Sequence, residues 1–114
     1  MAAAEAAPRT VPGTFLMTVR GVGSQDGHYY LNSEADYRDQ RNLTIDIPTS
    51  VERQLEERLG KDPLEHFGGK TVLVSGAAER VRIDFTNADR PTGKYYYQTH
   101  VRIAYPEQIR LAPR

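Results

Sequence analysis

Apolar and polar positions alternate with a period of two along most of this chain, and one central stretch switches to the period of a helix. Phe15, Met17 and Val19 alternate with Thr14, Leu16, Thr18 and Arg20, which predicts a half-buried strand over 14–22. Gly21 and Gly23 leave room for a bulge or bend at its end. Gln25-Asp26-Gly27 is a turn signal, and 28–32 follows as a short second strand. A polar loop is expected over 33–42. Leu43, Ile45 and Ile47 then alternate with Thr44 and Asp46 until Pro48 stops the strand. Val51, Leu55 and Leu59 fall at i, i+4 and i+8, an apolar stripe on a charged segment, so a helix is predicted over about 50–59. Thr49 with Glu52 fits a capping box, and Gly60 stands where a helix-ending glycine belongs. A second helical turn is expected over 62–67, with Asp62 as cap and Pro63 at its first position. Strand character returns in 70–76 and 79–85, then in 95–105 after a loop tip at 87–93, and 108–111 reads as a short edge piece.

The predicted order is thus β-β-β-α-β-β over residues 13–112, behind an Ala/Pro-rich tail over 1–12 that lacks periodicity and is expected to be disordered. With the glycine-bent first strand, the helix from Val51 to Leu59, a fourth strand over 69–76 and Tyr105-Pro106-Glu107-Gln108-Ile109 closing the fifth, the chain resembles the oligonucleotide/oligosaccharide-binding (OB) fold. The resemblance implies a mainly β domain: a five-stranded Greek-key barrel with an α-helix between strands 3 and 4. It departs from the usual pattern in that two helical pieces share the end of the barrel. It also implies a shallow groove formed by strands 2 and 3 with the loops joining strands 1–2 and 4–5.

At 114 residues the chain suits one domain with its own core. It contains no cysteine, which excludes disulfides, thiolate zinc sites and cysteine nucleophiles. No apolar run reaches the roughly 18 residues a membrane-spanning helix needs. The first residues lack the basic and apolar regions of an intact signal peptide, and read as a flexible tail or the stub of a removed leader. Compartment is therefore left open. Net charge is zero, but residues 1–69 carry 7 basic and 11 acidic side chains, while residues 70–114 carry 8 and 4. Twelve of the 15 basic residues are arginine, a bias that codon usage also explains.

Catalytic patterns are not found. Ser33, Ser50 and Ser75 lack a nucleophile-elbow context, and His28, His66 and His100 lie in separate segments without metal-ligand spacing. Glu56-Glu57 reads as a solvated helix face, and Asp36 and Asp39 lack the spacing of a calcium loop. No enzyme activity, metal or cofactor is expected.

Binding fits better. Single strands of nucleic acid are held by bases stacking on aromatic rings and phosphates pairing with Arg or Lys. Tyr29 and Tyr30 fall on the second strand, while Arg80, Arg82, Arg90, Lys94, Tyr95, Tyr96 and Tyr97 gather around the long hairpin of strands 4 and 5. Neighbouring residues of a strand face opposite ways, so at least one of Tyr95, Tyr96 and Tyr97 is expected in the core. Asp26, Asp46, Asp84 and Asp89 lie nearby and oppose phosphate. The loop 33–42 reads chiefly as a self-satisfied turn built on Asp36 or Asn32, with Tyr37 and Arg38 as anchors if it recognises a partner. The expected function is weak binding of single-stranded nucleic acid. The alternative is a protein- or envelope-interaction module using the 33–42 loop and the 84–98 hairpin.

Overall fold

A computed structural model describes residues 10–39, 41–88 and 90–113. Its elements are β1 (Thr10–Thr18), β2 (Gly21–Gln25), β3 (His28–Asn32), β4 (Leu43–Pro48), α1 (Thr49–Leu59), α2 (Pro63–Phe67), β5 (Thr71–Asn87), β6 (Arg90–Arg102), a 3-10 turn (Pro106–Gln108) and β7 (Ile109–Leu111). The expected tail falls largely outside the described residues. Its last three residues, Thr10 to Pro12, belong instead to β1, where β5 supplies their pairing partners.

The strands form one curled, barrel-like sheet in the order β1-β5-β6-β4-β3-β2, with β7 paired to β5. Neighbours are antiparallel except β4 and β6, which run parallel, Ile45 opposite Val101. The ends of this path, β1 and β2, are consecutive in the chain. Between them Val19 still exchanges hydrogen bonds with the β5 side, its N–H donating to Lys70 O at 2.8 Å and its carbonyl accepting from Gly69 N at 2.9 Å. One residue later Arg20 N donates to Asn32 O of β3 at 2.8 Å.

Seven strand segments therefore stand where five were expected. The first predicted strand divides where it changes partner, and the edge piece at 109–111 is a true strand on β5. The two predicted pieces of the fourth strand merge into one of 17 residues. No break is needed, because β1 pairs with β5 as far as Glu79 while β6 takes over from Ala78. Gly76 sits near this handover, where an added Cβ would meet Val101 Cγ1 at 3.0 Å and Gln108 Nε2 at 3.2 Å. The expected loop at 87–93 is correspondingly shorter, since β6 begins at Arg90.

The core follows from the alternation. Met17, Val19, Leu31, Ile45, Ile47, Val72, Val74, Val101 and Ile103 point inward from the strands, and Val51, Leu55 and Phe67 cover them from α1 and α2. The capping box does not form. Thr49 begins the helix itself and its hydroxyl donates to Gly27 O, which ties α1 to the β2–β3 turn. Glu52 is buried and its carboxyl is pushed above the usual value, first by burial and then by a hydrogen bond with Glu56. Asp62 caps α2 as its position suggests, accepting from Leu64 N at 2.9 Å. No described helix is long and apolar enough to cross a membrane. Ile45 is fully buried at the centre of this core. Replacing it with Ala removes packing that its neighbours only partly refill, and is expected to lower unfolding stability by ~2–5 kcal/mol, read from urea denaturation.

Candidate functional site

The same alternation that sends Leu31, Ile45 and Val101 inward sends Tyr30 and Asn32, Thr44 and Asp46, and Gln98 and His100 outward on β3, β4 and β6. Apart from Asp46, the outward set lines a groove of about 520 Å³, with Tyr37 from the loop, Ile83 from β5, Tyr96 from β6 and the edge of β2 completing its walls. Gly23 lies opposite Tyr30, and a Cβ there would meet nothing within 4 Å, so that part of the wall is open. His28 stacks beside Tyr30 with ring centroids 6.2 Å apart.

Loop 33–42 is fixed to this face by Asn42, which is 1% exposed. Its Nδ2 shares two protons among Thr44 Oγ1 at 2.9 Å, Asn32 Oδ1 at 3.1 Å and Tyr37 O at 3.2 Å, and its Oδ1 accepts from Glu34 N at 3.1 Å. Gln98 holds the loop from the other side, donating from Nε2 to Tyr37 O at 2.6 Å. Asp36 accepts from the N–H and Nε of Arg38, and Asp39 does the same for Arg41. The Arg41 contacts hold the Asp39 carboxyl down at about 2. The loop is thus satisfied internally and also presents Tyr37, 59% exposed, to the groove, with Arg38 5.9 Å from the Tyr37 ring centre.

Charge beside the groove is largely neutralised. Asp46, 4% exposed, accepts from His28 Nδ1 at 2.7 Å and Arg102 Nε at 3.3 Å. Burial, and then the Asp46 and Asp26 carboxylates, raise the Tyr30 hydroxyl; burial, and then Tyr37, raise that of Tyr96. Both phenols therefore keep their protons at neutral pH. Burial pushes His100 below the usual histidine value, so it stays neutral and Nε2–H donates to Gln98 Oε1 at 2.9 Å.

The sequence-derived binding residues separate into distinct places. Tyr30, Tyr37 and Tyr96 meet in the groove, with Arg38 at its rim. Tyr29 leaves the set, because it shares the inward face with Leu31 and packs on the core. Arg80 and Arg82 lie on the opposite face of the β5–β6 hairpin, where Arg80 covers the Tyr97 ring at 4.3 Å and Arg82 the Tyr95 ring at 4.1 Å. That face continues the inward one, in phase with Ala78 and Val101, but the hairpin runs past the body of the sheet and leaves Arg80, Arg82, Tyr95 and Tyr97 exposed. Hence none of the three consecutive tyrosines is in the core: Tyr95 and Tyr97 are 49% and 42% exposed, and Tyr96 is half-buried in the groove. Arg90 and Lys94 are exposed near the hairpin tip, away from both sets. Sequence reasoning missed Asn32, Thr44, Gln98 and His100. The signal was present, since each is in phase with Tyr30 or Tyr96 or occupies an outward position of β4.

No protein-family model, curated protein or solved structure matches this chain.

Replacing Asn42 with Ala leaves Glu34 N and Asn32 Oδ1 short of partners, and is expected to lower stability by ~1–3 kcal/mol. Amide exchange at Glu34 is expected to accelerate well beyond that of core amides. The histidines set a pH trend as well. Because His100 is harder to protonate folded than unfolded, acid favours the unfolded chain, so stability falls as pH drops below about 6.5. The raised Glu52 has the opposite sign, gaining its proton more readily when folded. Comparing wild type with His100→Gln cancels Glu52. The loss of unfolding free energy between pH 7.5 and 5.5 is expected to be smaller in the variant.

Proposed function

We propose that the chain is an OB-fold binding module without catalytic activity, which holds single-stranded nucleic acid weakly in this groove. The observation that carries the reading is that Tyr30, Tyr37 and Tyr96 line one groove whose remaining walls carry no Asp, Glu, Lys or Arg and mix apolar side chains, Val22 and Ile83, with hydrogen-bonding ones such as Asn32 and Gln98. Stacked bases need flat, accessible rings, and three are offered from three separate segments. Further support comes from the sheet. With β1 and β2 taken as one run, α1 falls between β4 and the β5–β6 hairpin as that fold would have it, and the groove draws on β3 and β4, the strands it would use, with loop 33–42 in place of the 4–5 loop. Weakness follows from charge: the chain is neutral overall, Asp36 engages Arg38, and Asp46 engages Arg102. Few phosphates can be neutralised, so affinity is expected to depend only gently on salt.

A protein-interaction reading draws on a different observation, the exposed Arg80–Tyr97 and Arg82–Tyr95 stacks on the far face of the hairpin. Fluorescence anisotropy with labelled single-stranded 10-mers at low salt separates the two. Tyr96→Ala is expected to weaken binding by ~1–3 kcal/mol, roughly 5- to 150-fold, through lost stacking. Arg80→Ala and Arg82→Ala are expected to change it less than threefold, on the order of one exposed charge contact. Absence of binding at tens of micromolar protein, or dependence on Arg80 and Arg82 with indifference to Tyr96, overturns the groove reading.

A further inference from the structure

The direction of every hydrogen bond behind the groove is fixed by two backbone groups that cannot change polarity. Glu34 N–H can only donate, so the Asn42 end it meets is Oδ1, and the other end, which reaches the Tyr37 carbonyl, is Nδ2. That same Nδ2 also faces Thr44 Oγ1 at 2.9 Å, so the Thr44 hydroxyl donates its own proton to Asn32 at 2.7 Å, and Asn32 turns Oδ1 inward, 3.1 Å from the Asn42 amide. Asn32 Oδ1 is thereby filled. Its Nδ2 is left with no partner among the described residues, in a residue that lines the groove. The Tyr37 carbonyl likewise fixes Gln98, whose Nε2 donates to it and to Tyr96 Oη at 3.1 Å. The Tyr96 oxygen is already an acceptor, so its own proton is free for a ligand. Asn32 and Tyr96 therefore offer donors, and the acceptors of Asn32 and Gln98 are consumed behind them.

We propose that the groove selects pyrimidine bases, an inference that rests on the nucleic-acid reading above. Uracil, thymine and cytosine each carry two acceptors and one donor on their Watson–Crick edge, adenine one of each, and guanine one acceptor and two donors. Stacked bases in a single strand expose this edge to side chains. The two donors of Asn32 and Tyr96 match the two acceptors of a pyrimidine edge, whereas adenine and guanine each offer one acceptor and leave one of the two protein donors unpaired. Asn32 Nδ2 and the Tyr96 hydroxyl are the selecting groups.

The test uses the whole chain and labelled 10-mers of thymidine, cytidine and adenosine. Both pyrimidine 10-mers are expected to bind the wild type roughly fivefold or more tightly than the adenosine 10-mer, the scale of a base-edge contact. Adenosine strands stack on themselves, which alone lowers their binding, so two variants isolate the edge contacts. Asn32→Asp keeps an oxygen toward Asn42 and replaces the free donor by an acceptor; its pyrimidine preference is expected to fall to about equality, whatever its overall affinity. Tyr96→Phe keeps the ring and loses only the hydroxyl, so it serves even if Asn32→Asp does not fold, and its preference is expected to narrow by about half. A preference unchanged in Tyr96→Phe and in any folded Asn32→Asp overturns the proposal in favour of self-stacking. Equal wild-type binding of all three strands overturns it while leaving the groove reading in place. No binding of any strand removes both.

Discussion

At Val19 and Arg20 the chain exchanges one strand partner for another within a single step. Backbone polar groups buried in a sheet must be paired, and here the N–H of Val19 is used by the β5 side while that of Arg20 is used by β3. Because both ends of the sheet belong to one continuous run, the sheet cannot lie flat. It has to curl until β3 and β5 both reach the same stretch of chain. Curling places Leu31, Ile45, Val72 and Val101 around a shared interior and brings the outward faces of β3, β4 and β6 into one wall. The core and the groove are two faces of that one constraint.

A second requirement shapes the wall. Thr44 and Asp46 point away from the apolar core, yet each is only 4% exposed, Thr44 beside the Asn42 end of the loop and Asp46 beside His28 and Arg102. Polar groups shielded from water in this way need partners, and the chain supplies them locally. Asn42 serves Thr44, Asn32 and two loop backbone groups, and Asp46 is met by His28 and Arg102. The loop is thereby held without an apolar anchor of its own. Tyr37 reaches the groove because its carbonyl, not its ring, is gripped from both sides.

Period-two alternation made the strands and the inward residues legible, and four-residue spacing the helix stripe, because each depends on near neighbours in sequence. Asp62 at the start of α2 and Gly60, with φ 72°, after α1 were legible for the same reason. What escaped depended on partners distant along the chain. Nothing local to Thr49 reveals that Gly27 will accept its proton, so a capping box was the natural expectation. Nothing local to 95–97 reveals that the sheet body ends near Thr99, so a core tyrosine was expected where the inward face has run out of core. The groove residues were half legible. Tyr30 and Tyr96 stand out by type, whereas Asn32 and Gln98 look ordinary until β4 and β6 are known to lie side by side.

Beyond the body, no layer among the described residues packs on the Arg80–Tyr97 face of the β5–β6 ribbon, and a bare two-stranded ribbon is marginal in water. Guanidinium planes laid over Tyr95 and Tyr97 on one side, and Phe85 against Tyr96 at 5.1 Å on the other, brace it from within. Such a ribbon behaves as a stiff handle whose far end is mechanically separate from the folded body. An exposed residue near its tip, Lys94, offers a place where a dye or a tag can be carried without disturbing either the interior or the tyrosine-lined wall.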